Sequence, residues 1–282
     1  MKRFITNTLL ISSIFIFIMA SLFSYKCFVF SKFSWKIPQE KHILFMGASH
    51  IHHAINDSLM LSAANYAAPS ERYMFTYIKL EHLLPNNPQI DTIFLELAPT
   101  DLWKSTDDKY HKENEQSNYV RNYWPLFSLE QWALYMSEPR QVFNIVLNSL
   151  RDVRVTYSSW WKSQGGYGYR TDSLNLDDLE PKMVESDGWS YTTNYAYLRK
   201  IIDLCKKYRV RLYFLETPTY HPELFYDQDY YYNAYKNNFS EIELLDYSHQ
   251  DIPLNEYADA HHLNDKGARH FTEIIKKRFR IK

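Results

Sequence analysis

From Phe4 to Phe23 the chain carries no charged residue, and Leu9, Leu10, Ile11, Ile14, Phe15, Ile16, Phe17, Ile18, Met19 and Leu22 dominate the stretch. Roughly 20 such residues make a helix long enough to cross about 30 Å of hydrocarbon. The pattern therefore predicts a membrane anchor over residues 1–24. The rival is a secretory signal peptide, which needs a shorter apolar region and a small-x-small cleavage site. Ala20 and Ser21 are small, but no such site follows, so the expectation is an uncleaved signal-anchor. Lys2 and Arg3 favour a cytoplasmic N-terminus, opposed by Lys26, Lys32 and Lys36 on the other flank. Anchor and signal peptide alike place the rest of the chain outside the cytoplasm.

Residues 25–41, with Pro38, read as a tether to a domain over 42–282. Short apolar runs at 42–46, 91–97, 210–215 and 243–246 read as buried strands. Between them, apolar positions recur at helical spacing over 71–84, 191–208 and 265–279. Apolar strands alternating with amphipathic helices predict an α/β domain: a parallel sheet covered on both faces, with its crevice at the carboxyl ends of the strands. The rhythm breaks at about 103–190, a stretch rich in Tyr, Trp, Asp and Ser that reads as an insertion, partly helical near 128–150.

Charge narrows the function. The 32 Lys plus Arg balance 33 Asp plus Glu, and no basic stripe is present, so no nucleic-acid partner is expected. The 24 Tyr lift the aromatic share to 17%, which suits carbohydrate or mixed surfaces as well as a core. Cys27 lies beside the apolar segment and leaves Cys205 alone in the domain, so neither a disulfide framework nor a cysteine metal site is available there.

Two short segments carry candidate chemistry. Ser49 follows the first strand in Gly47-Ala48-Ser49-His50, where a hydroxyl entering a turn is presented to the crevice. Asp259-Ala260-His261-His262-Leu263-Asn264 precedes the last helix. An Asp and a His three apart in a turn can pair through Nδ1, leaving Nε2 free as a base for a serine hydroxyl. A metal reading would gather His50, His52, His53, His261 and His262, but no H-E-x-x-H helix or Cys pair supports it. Most of these histidines are taken as polar crevice lining, and no metal or cofactor is expected.

Together, Gly47-Ala48-Ser49 and Asp259-Ala260-His261-His262 resemble the SGNH (GDSL-type) hydrolase family, with Leu263-Asn264 and Gly267 as the usual sequel. The resemblance spans about residues 42–280 apart from the insertion. It implies a flavodoxin-like three-layer α/β/α sandwich and a Ser49–His262–Asp259 triad, with the family spacing selecting His262 over His261. It also implies oxyanion or substrate-binding roles around Asn65, Ser70, Thr100 and Asp101. Here the sequence departs from the family. Ser70 stands where the second block has Gly, Ala98-Pro99-Thr100-Asp101 replaces Gly-x-Asn-Asp, and Ala48 replaces the Asp of the first block. Loss of one oxyanion donor typically costs roughly 3 kcal/mol of transition-state stabilisation.

The resemblance extends to divergent membrane-anchored branches that act on bacterial surface polymers. It implies an extracytoplasmic serine esterase or O-acyltransferase acting on an acylated cell-envelope polysaccharide or other envelope ester. The alternative is a catalytically degenerate relative that binds glycan or an envelope assembly partner.

Overall fold

In the computed structural model, the structure describes residues 1–102, 114–136, 139–151, 165–179 and 193–282. The chain divides into two compact units.

The first unit holds residues 1–34 with the described part of 117–161. Its apolar segment forms helix α1 (Lys2–Ser31). The helix is long and apolar enough to cross a membrane, and the span Arg3–Ser31 leaves its most apolar window unburied. It continues through residues 25–31, which the hydropathy pattern places in the tether. At its far end Phe23 meets Trp124, ring centroids 4.8 Å apart. Trp124 lies in a short turn, and Trp132 is 6.3 Å from it. Ser128 starts the next helix with a reciprocal cap: its side chain accepts from the N–H of Gln131, whose side chain in turn accepts from the backbone of Ser128.

The second unit holds residues 35–116 and 162–282 as far as they are described. Its strands are β1 (Ile43–Met46), β2 (Ala63–Asn65), β3 (Thr92–Glu96), β4 (Arg211–Glu216) and β5 (Leu244–Asp246). All pair in parallel in the order β2-β1-β3-β4-β5. That is the flavodoxin-like order, and helices cover both faces of the sheet. The fold is α/β, as the alternation of strands and helices predicts.

Helix α2 (Ser49–Ala54) follows β1, and α3 (Tyr73–Asn86) follows β2. The later helices of this unit that bear on the fold are Thr193–Tyr208 and Asp265–Phe279. Tyr73–Asn86 packs against Thr193–Tyr208 on one face, and α2 packs against Asp265–Phe279 on the other.

Period-two alternation sends Phe45, Phe94 and Tyr213 to the second of these faces. They are in register across β1, β3 and β4, with ring centroids 4.8 Å and 5.3 Å apart. Phe279 closes this ladder at 4.8 Å from Phe94. Phe45 and Phe94 are fully buried, and each contributes roughly 1.5–3 kcal/mol by leaving water. Ile51, Ala54, Phe271 and Ile275 complete the same core, so the element carrying Ser49 is anchored through its apolar side.

Candidate active site

Chain order reverses around β1 and β3, so the crevice of such a sheet opens at their carboxyl ends. Ser49 lies there, in the first residue of α2. Gly47 makes the turn possible. It has φ +140°, and a Cβ at this position would sit 2.3 Å from the Cβ of Glu96.

The Glu96 carboxylate at the end of β3 accepts the backbone N–H groups of Ala48 and Ile51 at 2.9 and 3.0 Å. A carboxyl group thus braces the turn that carries Ser49 from the neighbouring strand, although Ala48 itself offers none. Burial, and then the charge of Asp101, push the Glu96 carboxyl up to about 8 against the pull of these backbone donors.

The loop 257–264 brings the second segment to the same place. Tyr257 and Leu263 form an antiparallel bridge, and the N–H of Ala258 donates to the His262 carbonyl at 2.8 Å. Inside the loop, Asp259 Oδ1 accepts the N–H groups of His261 and His262 at 2.8 and 3.0 Å. His262 Nδ1 lies 2.9 Å from Asp259 Oδ1 and 3.0 Å from Oδ2. Its other ring nitrogen, Nε2, lies 2.9 Å from the Ser49 hydroxyl. Residues 213 apart in sequence thus stand at hydrogen-bond distance, as nucleophile, base and orienting carboxylate require. Burial pushes the Asp259 carboxyl up. Hydrogen bonds from His262, the backbone of His261 and Arg170, with the charge of His262, outweigh it and hold the carboxyl well below the usual range.

Other histidines lie close to His262. His50 and His53 each lie 5.2 Å, centroid to centroid, from His262. Burial, then repulsion from His262 and His261, holds the His50 imidazole well below its usual range, hence neutral near pH 7. Burial likewise lowers His53 to about 4. His52 Nδ1 and His53 Nδ1 meet the carbonyls of Ala67 and Gly168 at 3.1 and 2.7 Å. His261 Nδ1 meets the Tyr226 hydroxyl at 2.9 Å. No cluster of His, Cys, Asp or Glu suited to a metal occurs among the described residues.

The remaining expected site residues divide. Ser70 has φ +60°, the left-handed geometry that suits glycine and costs another residue roughly 1–2 kcal/mol. Its segment runs beside the turn that carries Ser49, since the N–H of Ala68 donates to the Gly47 carbonyl at 3.0 Å. Thr100 lies half-buried in the turn Pro99–Leu102 after β3.

Asn65 does structural work instead. Its amide donates to the carbonyls of Ile51 and Ile55 at 3.2 and 2.8 Å and accepts the N–H of Ala67 at 2.9 Å. With both amide protons committed, it has none to offer an oxyanion. The Asp101 side chain is buried, and its Oδ2 accepts from the N–H of Ala98 and the Tyr73 hydroxyl at 2.9 and 3.3 Å. It closes its own turn.

Sequence reading missed Glu96 and Arg170. Glu96 ends an apolar strand and gives no sign of its role except as a charge inside a buried run. Arg170 lies within the insertion, where Arg170 Nη1 donates to Asp259 Oδ2.

A family model with no functional description matches residues 173–281. No curated protein matches the chain. Among solved structures, a Streptococcus pneumonia protein designated “putative platelet activating factor” is 13% identical with a TM-score of 0.43, covering 97% of this chain and 98% of its own. The fold assignment rests on the strand order above and not on this likeness.

Proposed function

We propose that this protein is a membrane-anchored serine ester hydrolase or O-acyltransferase of SGNH type, with its domain outside the cytoplasm. The observation that carries the reading is the Ser49–His262–Asp259 chain of contacts at 2.9 Å and 2.9 Å. Ser49 Oγ attacks the ester carbonyl as His262 Nε2 takes its proton. The tetrahedral intermediate then expels the alcohol, which receives that proton, and leaves an acyl-serine. Water or a second hydroxyl attacks the acyl-serine in turn, giving the acid or a new ester. Asp259 holds the imidazole in register and stabilises its cation. The Ser49 and Ser70 N–H groups, with the Thr100 hydroxyl, are the proposed oxyanion donors.

The proposed substrate is an O-acyl group on an envelope or exported polysaccharide. Two features support this class: the apolar helix α1, which suits attachment at a membrane, and the aromatic residues Tyr220 and Phe225, which line pockets beside the loop that carries Asp259.

The committed amide of Asn65 favours a second reading, a degenerate binder of glycan or an envelope partner. Turnover of p-nitrophenyl acetate by the detergent-solubilised chain separates the two. A fall of at least roughly a thousandfold in both Ser49→Ala and His262→Ala supports catalysis. Equal rates in wild type and both variants, with no fluorophosphonate label on Ser49, leave the binder.

A further inference from the structure

The stretch Gly165–Leu174 has no regular secondary structure, yet it is pinned on two sides of the site. On one side the N–H of Gly168 donates to the His52 carbonyl at 2.8 Å, and the Gly168 carbonyl accepts from His53 Nδ1 at 2.7 Å. A Cβ on Gly168 would stand 2.1 Å from His52 Nε2, so only glycine allows this approach. On the other side the Arg170 carbonyl accepts the N–H of Asp265 at 2.8 Å, and the Tyr167 hydroxyl donates to Asp265 Oδ1 at 2.9 Å. Asn264, the N-cap of the last helix, donates to the Asp172 carbonyl at 3.1 Å. Leu174 closes the strap by donating its N–H to the Tyr257 carbonyl at 2.9 Å.

Between these pins the strap delivers one guanidinium. Its Nε and Nη2 donate to Asp172 Oδ2 at 3.2 and 3.0 Å, which leaves Nη1 directed at Asp259 Oδ2. Asp259 Oδ1 is already fixed by the backbone of its own loop. Oδ2 has no such backbone partner, and the side chain is 40% exposed. Without Arg170, water competes for Oδ2, whose remaining contact is with His262 Nδ1 at 3.0 Å.

We propose that Arg170 is a positioning residue for the triad, using one arm of its fork to lock the Asp259 carboxylate against His262 while Asp172 holds the other arm. The proposal rests on the esterase reading above. Arg170 touches no reacting atom and acts through Asp259 alone. Its effect is geometric, because a cation beside Asp259 weakens rather than strengthens that carboxylate's support of an imidazolium. A triad displaced by about 1 Å loses on the order of a hundredfold in rate.

The test uses the full chain in detergent, with p-nitrophenyl acetate turnover and fluorophosphonate labelling of Ser49. Arg170→Ala is expected to lower kcat by about ten- to a hundredfold with KM within about twofold. Ethylguanidinium at tens of millimolar is expected to restore part of that kcat in Arg170→Ala and none in Ser49→Ala. Arg170→Lys keeps length and charge but lacks the fork, and is expected to keep the wild-type melting temperature while remaining at least about fivefold slow.

Wild-type kcat in both Arg170 variants overturns the proposal. So does a loss that follows a lowered melting temperature and does not respond to ethylguanidinium, since that reports only a strap that has come loose. A wild-type chain that neither turns over ester nor takes the label at Ser49 removes the triad reading and this proposal with it. A labelled, active wild type with equally fast Arg170 variants removes this proposal alone.

Discussion

Gly47 and Glu96 occupy adjacent strand ends so closely that a Cβ on Gly47 would lie 2.3 Å from the Glu96 Cβ and 3.2 Å from its backbone nitrogen. The contact places the carboxylate under the turn that carries Ser49. It also explains why a glycine precedes Ser49 by two positions. Gly47→Ala adds a clash with a buried neighbour to a backbone of φ +140°. The expected loss is at least about 2 kcal/mol of unfolding free energy. Denaturant titration of the domain checks this, and an unchanged midpoint would mean the two strand ends lie farther apart.

Glu96 also gives a pH signature. Its carboxyl is raised from 4.5 to about 8 by burial first and Asp101 second. Between those values the folded state holds a proton that the unfolded state has released. By linkage, stability contributed through this group falls as pH rises from about 4.5 to about 8 and is flat above. Glu96→Gln keeps an acceptor for the N–H groups of Ala48 and Ile51 but cannot ionise. The variant should lose less stability than wild type as pH rises across that window, seen as a smaller drop in melting temperature from pH 5 to pH 8. Parallel curves for the two proteins would show that Glu96 does not titrate there.

Much of this arrangement was legible in the amino-acid order. Strands such as Ile93–Leu95 and Leu212–Leu215 are apolar because helices cover both faces, and continuous apolar runs are easily seen. β2 is not: Ala63-Ala64-Asn65 is three residues long, with small side chains and no β-branched member. Ser49, Asp259 and His262 could be paired because their two segments together resemble the first and last blocks of the SGNH family. Arg170 could not, since its partner lies 89 residues away and its segment has neither periodicity nor a motif. Asn65 and Asp101 were expected at the oxyanion and substrate site from their block positions, but the backbone groups that take up their side chains belong to the folded loops and have no local trace. Such residues read as chemistry in sequence and as scaffolding in three dimensions.

The Lys79–Glu71 ion pair supports the segment that contains Ser70. Their charged atoms are 2.7 Å apart with both side chains fully buried, and Lys79 Nζ also donates to the Tyr66 carbonyl at 2.6 Å. Burial, its largest cause, drives Glu71 up and Lys79 down, each restrained by its partner. Lys79→Met strands a buried carboxyl and frees residues 66–70. A loss of about 3–5 kcal/mol is expected from breaking one side of such a pair. The double variant Lys79→Met, Glu71→Leu should recover most of that loss, because it leaves no uncompensated charge. If the single variant melts within about 1 kcal/mol of wild type, the pair is not closed in solution.

Helix α1 is long and apolar enough to cross a membrane. Its window of apolar residues is unburied within the fold, and Phe4, Ile11, Ile16 and Phe17 each expose more than half of their surface. So large an apolar surface on one helix is stable in lipid and not in water. The full chain is expected in the membrane fraction after alkaline carbonate washing, and a chain lacking residues 2–31 in the soluble fraction. Protease added to intact cells or spheroplasts should cut the domain if it lies outside, and spare it if it faces the cytoplasm. Mass spectrometry of the membrane-bound protein then separates anchor from signal peptide: an intact N-terminus retains α1, whereas a start beyond Ser21 shows that the helix was removed. Carbonate-extractable protein with an intact N-terminus would defeat the membrane reading altogether, since α1 would then have to be covered by protein.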